Sequence, residues 1–337
     1  MMTFIPTPLE DEWLYSVVGR WFALSGFASE SKFCDAAFGS LLDTSSLNAG
    51  YFVNLTWQGG STIDRSAIPE KLSLLPAARP FINEVLYAKY FALPPDSNER
   101  WSTWHPKTES LTRPPKYRYC QVCATEQRSK FGFAFWLRAH QLPGVGACVK
   151  HSVELKNVRA RPNHLDMVPI EDITAVSATD EEIWFAFEAK SLLDLALPNV
   201  ASSQHRLAWT DAIGREFRHA SSSSSRDLEP LFMKRFTPGF LQRILGRTQF
   251  WRVGNLARAL VKKQTGCIDP VHSILLAKVL GFDTISTFLI EASKIPFPNE
   301  ILDAPKVPEE LSARSTRAQL RNANIIERER KFRAKLK

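Results

Sequence analysis

Two short Cys/His pairs constrain this chain more than any other feature of the sequence. Cys120 and Cys123 are separated by two residues, as are Cys148 and His151, and 24 residues lie between the pairs. Two ligands from one tight turn can reach the same ion, and the intervening segment brings the two turns together. The spacing therefore predicts a tetrahedral Zn2+ site with Cys120, Cys123, Cys148 and His151 as ligands.

Other uses of these cysteines fit the sequence less well. A C-x2-C pair also occurs at thioredoxin-like redox sites, but these need a βαβ setting that the surrounding residues do not predict. Four protein ligands leave no position for a water molecule, which favours structural over catalytic zinc. We therefore interpret His140, in the intervening loop, as a packing and hydrogen-bonding residue. Phe131, Phe135 and Arg138 are predicted to share one side of a helix in that loop.

Composition indicates a globular, soluble protein. The 337 residues, 44% of them hydrophobic, can supply the cores of two or three modest domains. The N-terminus lacks the basic flank and apolar run of a secretory signal, and no apolar stretch approaches the roughly 20 residues that span a bilayer. We expect a cytoplasmic protein with no membrane partner. Five cysteines are a poor disulfide framework in a reducing compartment, and the isolated Cys34 and Cys267 are expected to be small buried residues.

The N-terminal residues follow a helical pattern. Thr7 as cap, Pro8 at the first helical position and Glu10 three residues after the cap predict a helix start, and Gly26 is the predicted stop. Apolar residues then recur at helical spacing at Trp13, Val17, Trp21 and Leu24, with Val18 and Phe22 beside them. A second helix over residues 30–38 would complete a helix-turn-helix-like pair, although two packed helices without a DNA role fit equally well.

A further helix is predicted over residues 181–197, and several closely spaced helices are predicted after the serine run 221–225. Another helix is predicted to start at Pro270 and to stop at Gly281. No segment alternates as a long strand would, so the fold is predicted to be mainly α. Proline-rich connectors divide the chain into four predicted parts. These are an N-terminal helical (helix-turn-helix-like) domain 1–95, a zinc-binding module 96–160, a C-terminal helical domain 161–295, and a proline-containing linker with a basic tail 296–337.

Positive charge is concentrated in two segments. The net charge is +8, and residues 226–263 and 311–337 each carry +7, so the remainder carries −6. This distribution favours a polyanion, first of all nucleic acid, with a solvated helix face as the alternative. The residues predicted to contact DNA are Lys234, Arg235, Arg243, Arg247, Arg252 and Arg258, interleaved with apolar residues, and secondarily the tail residues Arg328, Arg330, Lys331 and Arg333.

The Cys/His motif and its surroundings resemble the TniQ/TnsD family of transposition target selectors. The likeness is carried by Cys120, Cys123, Phe131, Gly132, Phe135, Trp136, Arg138, His140, Gln141, Leu142, Pro143, Gly144, Val145, Cys148, His151 and Leu155, and near the N-terminus by Pro6, Pro8, Asp11, Glu12, Leu14, Ser16, Arg20 and Gly26. The stretches TPGFLQRILG, FWRVGNLARALV and DPVHSILLAKVLGF are similar to longer, TnsD-like members. Gln121, Val149 and Ser152 depart from the pattern, since members often have proline after the first ligand of each pair and glycine after the histidine.

The resemblance implies a protein without catalytic chemistry of its own, and no Walker, G-x-S-x-G or H-E-x-x-H motif argues otherwise. Family members mark an insertion site for DNA recombination and recruit the AAA+ ATPase that licenses the transposase. Some bind double-stranded attachment-site DNA directly, and the basic segments favour this mode here. We place the ATPase contact on the N-terminal helices. Others act as adaptors on a CRISPR RNA-guided effector. A zinc-dependent nuclease or hydrolase is the second alternative.

Overall fold

Helices dominate the part of the chain that the computed structural model describes. This part comprises residues 5–38, 68–81, 116–159, 164–169, 174–198, 200, 202–216, 228–245 and 270–296. These residues belong to one unit that ends at Pro296, and the strands found among them form a single two-stranded ribbon. The prediction of a mainly α fold is confirmed. No helix in the described ranges is both long and apolar enough to cross a bilayer.

The N-terminal region is built from short helices. They are α1 (Leu14–Ser25), α2 (Glu30–Phe38), α3 (Ile68–Leu72) and α4 (Leu75–Ala78), followed by a 3-10 turn (Arg79–Phe81). Gly26 ends α1 with φ of +73°, a backbone conformation that glycine adopts at little steric cost. The predicted bounds of α2 are confirmed.

The predicted helix start at Thr7 is wrong, because α1 begins at Leu14. The backbone before it pairs with a distant segment instead: the Trp13 N–H donates to the Trp136 carbonyl at 2.8 Å. Trp13 is buried as expected, whereas Leu24, the last residue of the predicted apolar stripe, is 65% exposed.

Residues 116–159, here called the metal-binding region, combine a ribbon and two helices. Strands β1 (Lys116–Tyr119) and β2 (Lys156–Arg159) pair antiparallel, and between them lie α5 (Gln121–Phe131) and α6 (Arg138–Gln141). The expectation that Phe131, Phe135 and Arg138 share one helix is wrong. Helix α5 ends where Gly132 takes φ of +80°, and residues 132–137 are not helical.

The C-terminal region consists of six helices among the described residues. They are α7 (Asp180–Asp194), α8 (Ser202–Glu216), α9 (Leu228–Arg235), α10 (Pro238–Leu245), α11 (Pro270–Val279) and α12 (Ile285–Ser293). Helix α7 starts with a capping box in which Thr179 and Glu182 satisfy each other's backbone N–H groups, and it ends three residues earlier than predicted. Gly281, with φ of +82°, follows α11 as expected.

The metal-binding region contributes side chains to both hydrophobic cores. The N-terminal core contains Trp13, Phe33, Tyr117, Trp136 and Leu165 among its buried residues. The C-terminal core contains Cys120, Cys148 and Leu155 of the metal-binding region, packed with residues of α7 to α12. Since burying a large apolar side chain contributes about 1.5–3 kcal/mol, both cores depend on the conformation of this region.

Candidate metal centre

The first two predicted ligands lie at the start of α5. Cys120 follows β1 and is the N-cap residue of the helix, and its sulfur accepts a hydrogen bond from the Cys123 N–H at 3.5 Å. Cys123 lies in the first turn, so the short spacing places both sulfurs at the same helix end. A helix N-terminus favours negative charge, which suits thiolate ligands.

The second two ligands lie in a tight turn between α6 and β2. The Cys148 N–H donates to the Val153 carbonyl, and the Ser152 N–H donates to the Cys148 carbonyl, each at 2.8 Å. Ser152 has φ of +53°, in the left-handed region that is uncommon for residues other than glycine. This is the position after the histidine, where the family resemblance predicts glycine, so the turn keeps its geometry with a serine.

The structure brings the four predicted ligands together. Their ligand atoms all lie within 4.8 Å of one another, the three cysteines are buried and His151 is half-buried. The His151 Nδ1 atom lies 3.4, 3.2 and 3.7 Å from the sulfurs of Cys120, Cys123 and Cys148, and the last two sulfurs are 3.7 Å apart. A tetrahedral zinc with the usual bond lengths would separate its ligands by about 3.6 Å (S to N) and about 3.8 Å (S to S). The cluster therefore fits a single metal ion.

Electrostatics give a second reason why the cluster suits a cation. Hydrogen bonds with the Cys123 and Cys148 thiols lower the pKa of Cys120, while hydrogen bonds with Cys120 and Cys148 raise the pKa of Cys123. The contact with Cys120 is also the main cause that raises the pKa of Cys148 to about 11. Three thiols in so small a volume cannot all ionise at neutral pH without a compensating charge, which a divalent metal supplies.

Glu126 orients the histidine ligand from outside the cluster. The His151 Nε2 atom, on the side of the ring away from the sulfurs, lies 3.1 Å from Glu126 Oε1. This pairing leaves Nδ1 free to face the metal, because the outer nitrogen carries the proton. Glu126 also accepts a hydrogen bond from Lys150, which is the main cause that lowers its pKa, with His151 second. Glu126 was not among the predicted site residues, although its position three residues after Cys123 places it on the same face of α5.

His140 lies outside the four-residue cluster. It is 5% exposed, and burial lowers its pKa to about 4, so the ring is neutral at physiological pH. This placement agrees with its interpretation as a packing residue.

The N-terminal segment is hydrogen-bonded directly to the metal-binding region. Asp11 accepts from the Arg138 guanidinium at 3.2 Å and from the Ala139 N–H at 3.3 Å, so it caps the start of α6. The Ser16 hydroxyl accepts from the Trp136 N–H at 3.1 Å. Asp11, Ser16, Trp136 and Arg138 are all among the residues that carry the family resemblance, and these contacts give them a shared structural role.

The predicted DNA contacts are only partly within the described residues. Lys234 and Arg235 are exposed at the end of α9. The Arg243 side chain is half exposed, and its Nε donates to Glu182 at 2.7 Å, so an acidic residue already neutralises part of its charge. Arg247, Arg252, Arg258, Arg328, Arg330, Lys331 and Arg333 lie outside the described residues, and the DNA-contact assignment stays a prediction.

The fold and the cluster together define a helical domain with a three-cysteine, one-histidine metal site held between two cores. Residues 3–155 match the family model TniQ. This part of the chain is a TniQ domain, and the predicted likeness to the TniQ family is confirmed over these residues. The match contains all four ligands, whereas the likeness of later residues to TnsD-like members stays a prediction. No curated protein matches the chain.

Proposed function

We propose that this protein selects target sites for DNA transposition, by binding double-stranded attachment-site DNA and recruiting a AAA+ ATPase that in turn engages the transposase. The TniQ domain, which is associated with target selection in transposition, is the observation that carries the proposal. The metal cluster supports it, because the four ligands that the family pattern requires lie within reach of one ion.

The metal is proposed to be Zn2+ in a structural role. Three cysteines and one histidine in tetrahedral arrangement are a common ligand set for structural zinc. When bound, the ion would hold the start of α5 against the turn at Cys148 and so fix the surfaces on either side. Elemental analysis of the purified chain tests the identity of the metal, with one zinc per chain as the expected result.

Direct DNA binding is supported by the arrangement of α9 and α10. Only Phe236 and Thr237 separate these helices, and Thr237 is held to the start of α7 because its N–H and hydroxyl both donate to Glu181. Buried Phe232 and Phe240 anchor the inner face, while Lys234 and Arg235 remain exposed for phosphate contacts. Arg243 is a poorer probe of DNA binding, since its replacement would also remove the ion pair with Glu182.

Footprinting on DNA that flanks the native element tests the direct mode. The intact chain is expected to protect a defined stretch, and Lys234→Gln/Arg235→Gln is expected to weaken protection more than the control Lys32→Gln/Lys294→Gln, which removes two exposed lysines elsewhere. Absence of protection, together with co-purification with a CRISPR effector complex, would instead support the adaptor function.

ATPase recruitment is proposed for the exposed side of α1 and α2. Deleting the N-terminal residues is a poor test, because Trp13 and Phe33 share a core with Trp136 and their removal would disturb the metal-binding region. The substitution Leu24→Asp is better, since Leu24 is 65% exposed. It is expected to reduce capture of the ATPase without changing metal content, and undiminished capture would count against this location.

A hydrolase is the less favoured alternative. A cleft of about 430 Å3 borders Cys123 and Cys148, but four protein ligands complete a tetrahedral coordination sphere and leave no position for an activated water. Metal-dependent cleavage of DNA by the purified chain would reverse this conclusion.

A further inference from the structure

A pair of like charges occupies facing positions on the ribbon formed by β1 and β2. Lys116 lies directly opposite Arg159 in the antiparallel register, and both side chains are exposed. Cβ atoms of facing residues are about 4.5–5.5 Å apart, and like charges at such positions are destabilising. Neither residue has an ion-pair partner among the described residues, and the ribbon itself contains no acidic residue.

The ribbon is fixed in place by a buried glutamine. The Gln141 side chain accepts from the Arg118 N–H at 3.0 Å and donates to the Arg118 carbonyl at 2.7 Å. The Arg118 guanidinium donates to the carbonyls of Gln141 and Leu142, each at 2.8 Å. Tyr117 and Tyr119 pack into the N-terminal core. The two cations are therefore presented on a pre-organised support rather than on a free loop.

The surroundings of the ribbon are also positive. Residues 116–159 contain eight Lys/Arg and two Glu residues. Glu126, one of the two acids, is already engaged with Lys150 and His151. A divalent ion bound by three thiolates and a neutral histidine would add only one negative charge. The charge of this region thus attracts an anion independently of the basic segments in the C-terminal half of the chain.

We propose that Lys116 and Arg159 bind one phosphate group of the DNA backbone between them. The ammonium and the guanidinium would each donate to a phosphate oxygen, and the bound anion would offset the repulsion between the two cations. Asn157, two residues from Arg159 and on the same face of the ribbon, is placed to donate to the adjacent backbone. This contact rests on the proposed DNA-binding function, and it would position the duplex without reading its sequence.

The test is a salt titration of the intact chain with a mixed-sequence DNA duplex, since phosphate contacts do not depend on sequence. Lys116→Gln/Arg159→Gln is expected to reduce the slope of log affinity against log salt by about one, because the contact with one phosphate is lost. The control Lys32→Gln/Lys294→Gln removes the same charge from other exposed positions and is expected to leave the slope nearly unchanged. An equal loss in the control, or no loss in the ribbon variant, would overturn the ribbon proposal alone.

Arg159→Glu separates loss of binding from loss of folding. It replaces a repulsive cross-strand pair with an attractive one, so the melting temperature is expected to stay the same or rise while DNA affinity falls. A parallel fall in melting temperature and affinity would show that the ribbon residues act through stability and would overturn the proposal. Failure of the unaltered chain to bind any duplex would overturn both this contact and the DNA-binding function on which it rests.

Discussion

The Glu12 carboxylate accepts two hydrogen bonds from the Arg20 guanidinium, at 2.8 and 2.7 Å, and both side chains are buried. The pair joins the extended N-terminal segment to α1. Glu12 also accepts from the Leu9 N–H, Arg20 also donates to the Thr7 carbonyl, and the guanidinium lies over the Phe133 ring at 5.1 Å. Both buried charges therefore have several partners within the protein.

Removing one partner of this pair should be strongly destabilising. Glu12→Gln would leave the Arg20 charge buried without a counter-ion, and we expect it to lower the free energy of unfolding by about 3–5 kcal/mol. Chemical denaturation measures this loss. The control Asp211→Asn breaks the exposed pair with Arg215 and is expected to cost less than about 1 kcal/mol. If the double variant Glu12→Gln/Arg20→Gln lost as much unfolding free energy as the two single variants added together, the two residues would not be coupled as the structure indicates.

Loss of a metal ligand should unfold the metal-binding region. Cys120→Ser is expected to abolish stoichiometric metal and to lower the melting temperature sharply, because binding at such sites supplies on the order of 10 kcal/mol of folding free energy in small zinc modules. Cys34→Ser is the matched control, since Cys34 is also buried but lies outside the cluster. It should retain full metal content. Unchanged metal content and melting temperature in Cys120→Ser would contradict the ligand assignment.

Glu126 should tune metal affinity without binding the metal. Glu126→Ala is expected to weaken affinity by about 10–100-fold, the range seen when the hydrogen-bond partner of a ligating histidine is removed. Glu126→Gln, which can still accept from His151 Nε2, should recover part of the loss. Competition with a chelator provides the measurement, and Glu154→Ala, at another exposed acid of the same region, is the control. Equal affinities in the Glu126→Ala and Glu154→Ala variants would refute the orienting role.

His205 should make the fold sensitive to acid. Burial lowers its pKa to about 4, although a contact of 2.6 Å with the Pro80 carbonyl acts in the opposite direction. The folded state keeps the ring neutral, whereas the unfolded chain takes up a proton below about pH 6.5. The contribution of neutral His205 to the free energy of unfolding is therefore complete above about pH 6.5. It is lost between pH 6.5 and 4, at about 1.4 kcal/mol per pH unit.

The variant His205→Gln isolates this effect from the titration of other groups. Its amide can still donate to the Pro80 carbonyl but carries no titrating proton. The difference in unfolding free energy between the unaltered chain and the variant should change by about 3 kcal/mol from pH 7 to pH 4. A difference that is constant with pH would exclude a neutral, buried His205.

Ser152→Gly should stabilise the turn that carries His151. Ser152 has φ of +53°, and glycine adopts this conformation without the steric cost that a Cβ atom imposes. We expect a gain of up to about 1 kcal/mol by thermal unfolding of the metal-loaded chain. The reverse case, Gly132→Ala at φ of +80°, should be destabilising. A loss of stability in Ser152→Gly would indicate that the serine side chain contributes contacts that outweigh its backbone strain.

The four ligands could be identified from the sequence because their spacing is a local property that chemistry restricts tightly. The start of α1 could not be identified from the sequence. Thr7-x-x-Glu10 and Thr179-x-x-Glu182 carry the same capping signal, yet only the second forms a capping box. The first lies in a segment whose backbone pairs with residues 136–138, and no local pattern encodes a partner so far along the chain.

The ribbon was missed for a related reason. Each strand has only four residues, too few for an alternating pattern to stand out from chance. Its register depends on Gln141, which bonds to Arg118 from 23 positions away, and on the burial of two tyrosines. Helices such as α11, by contrast, were predicted from a proline at the start and a glycine after the end, both of which act within a few residues.

The hydrogen bonds between α1 and residues 164–166 affect when the N-terminal helix can pack during synthesis. The Tyr15 hydroxyl donates to the His164 carbonyl and accepts from the Asp166 N–H, each at 2.6 Å. At about 5–20 residues per second, the ribosome needs roughly 10–30 s to make the intervening chain. Throughout this interval Tyr15 lacks these final partners, so the N-terminal segment stays available to chaperones until residue 166 has left the exit tunnel.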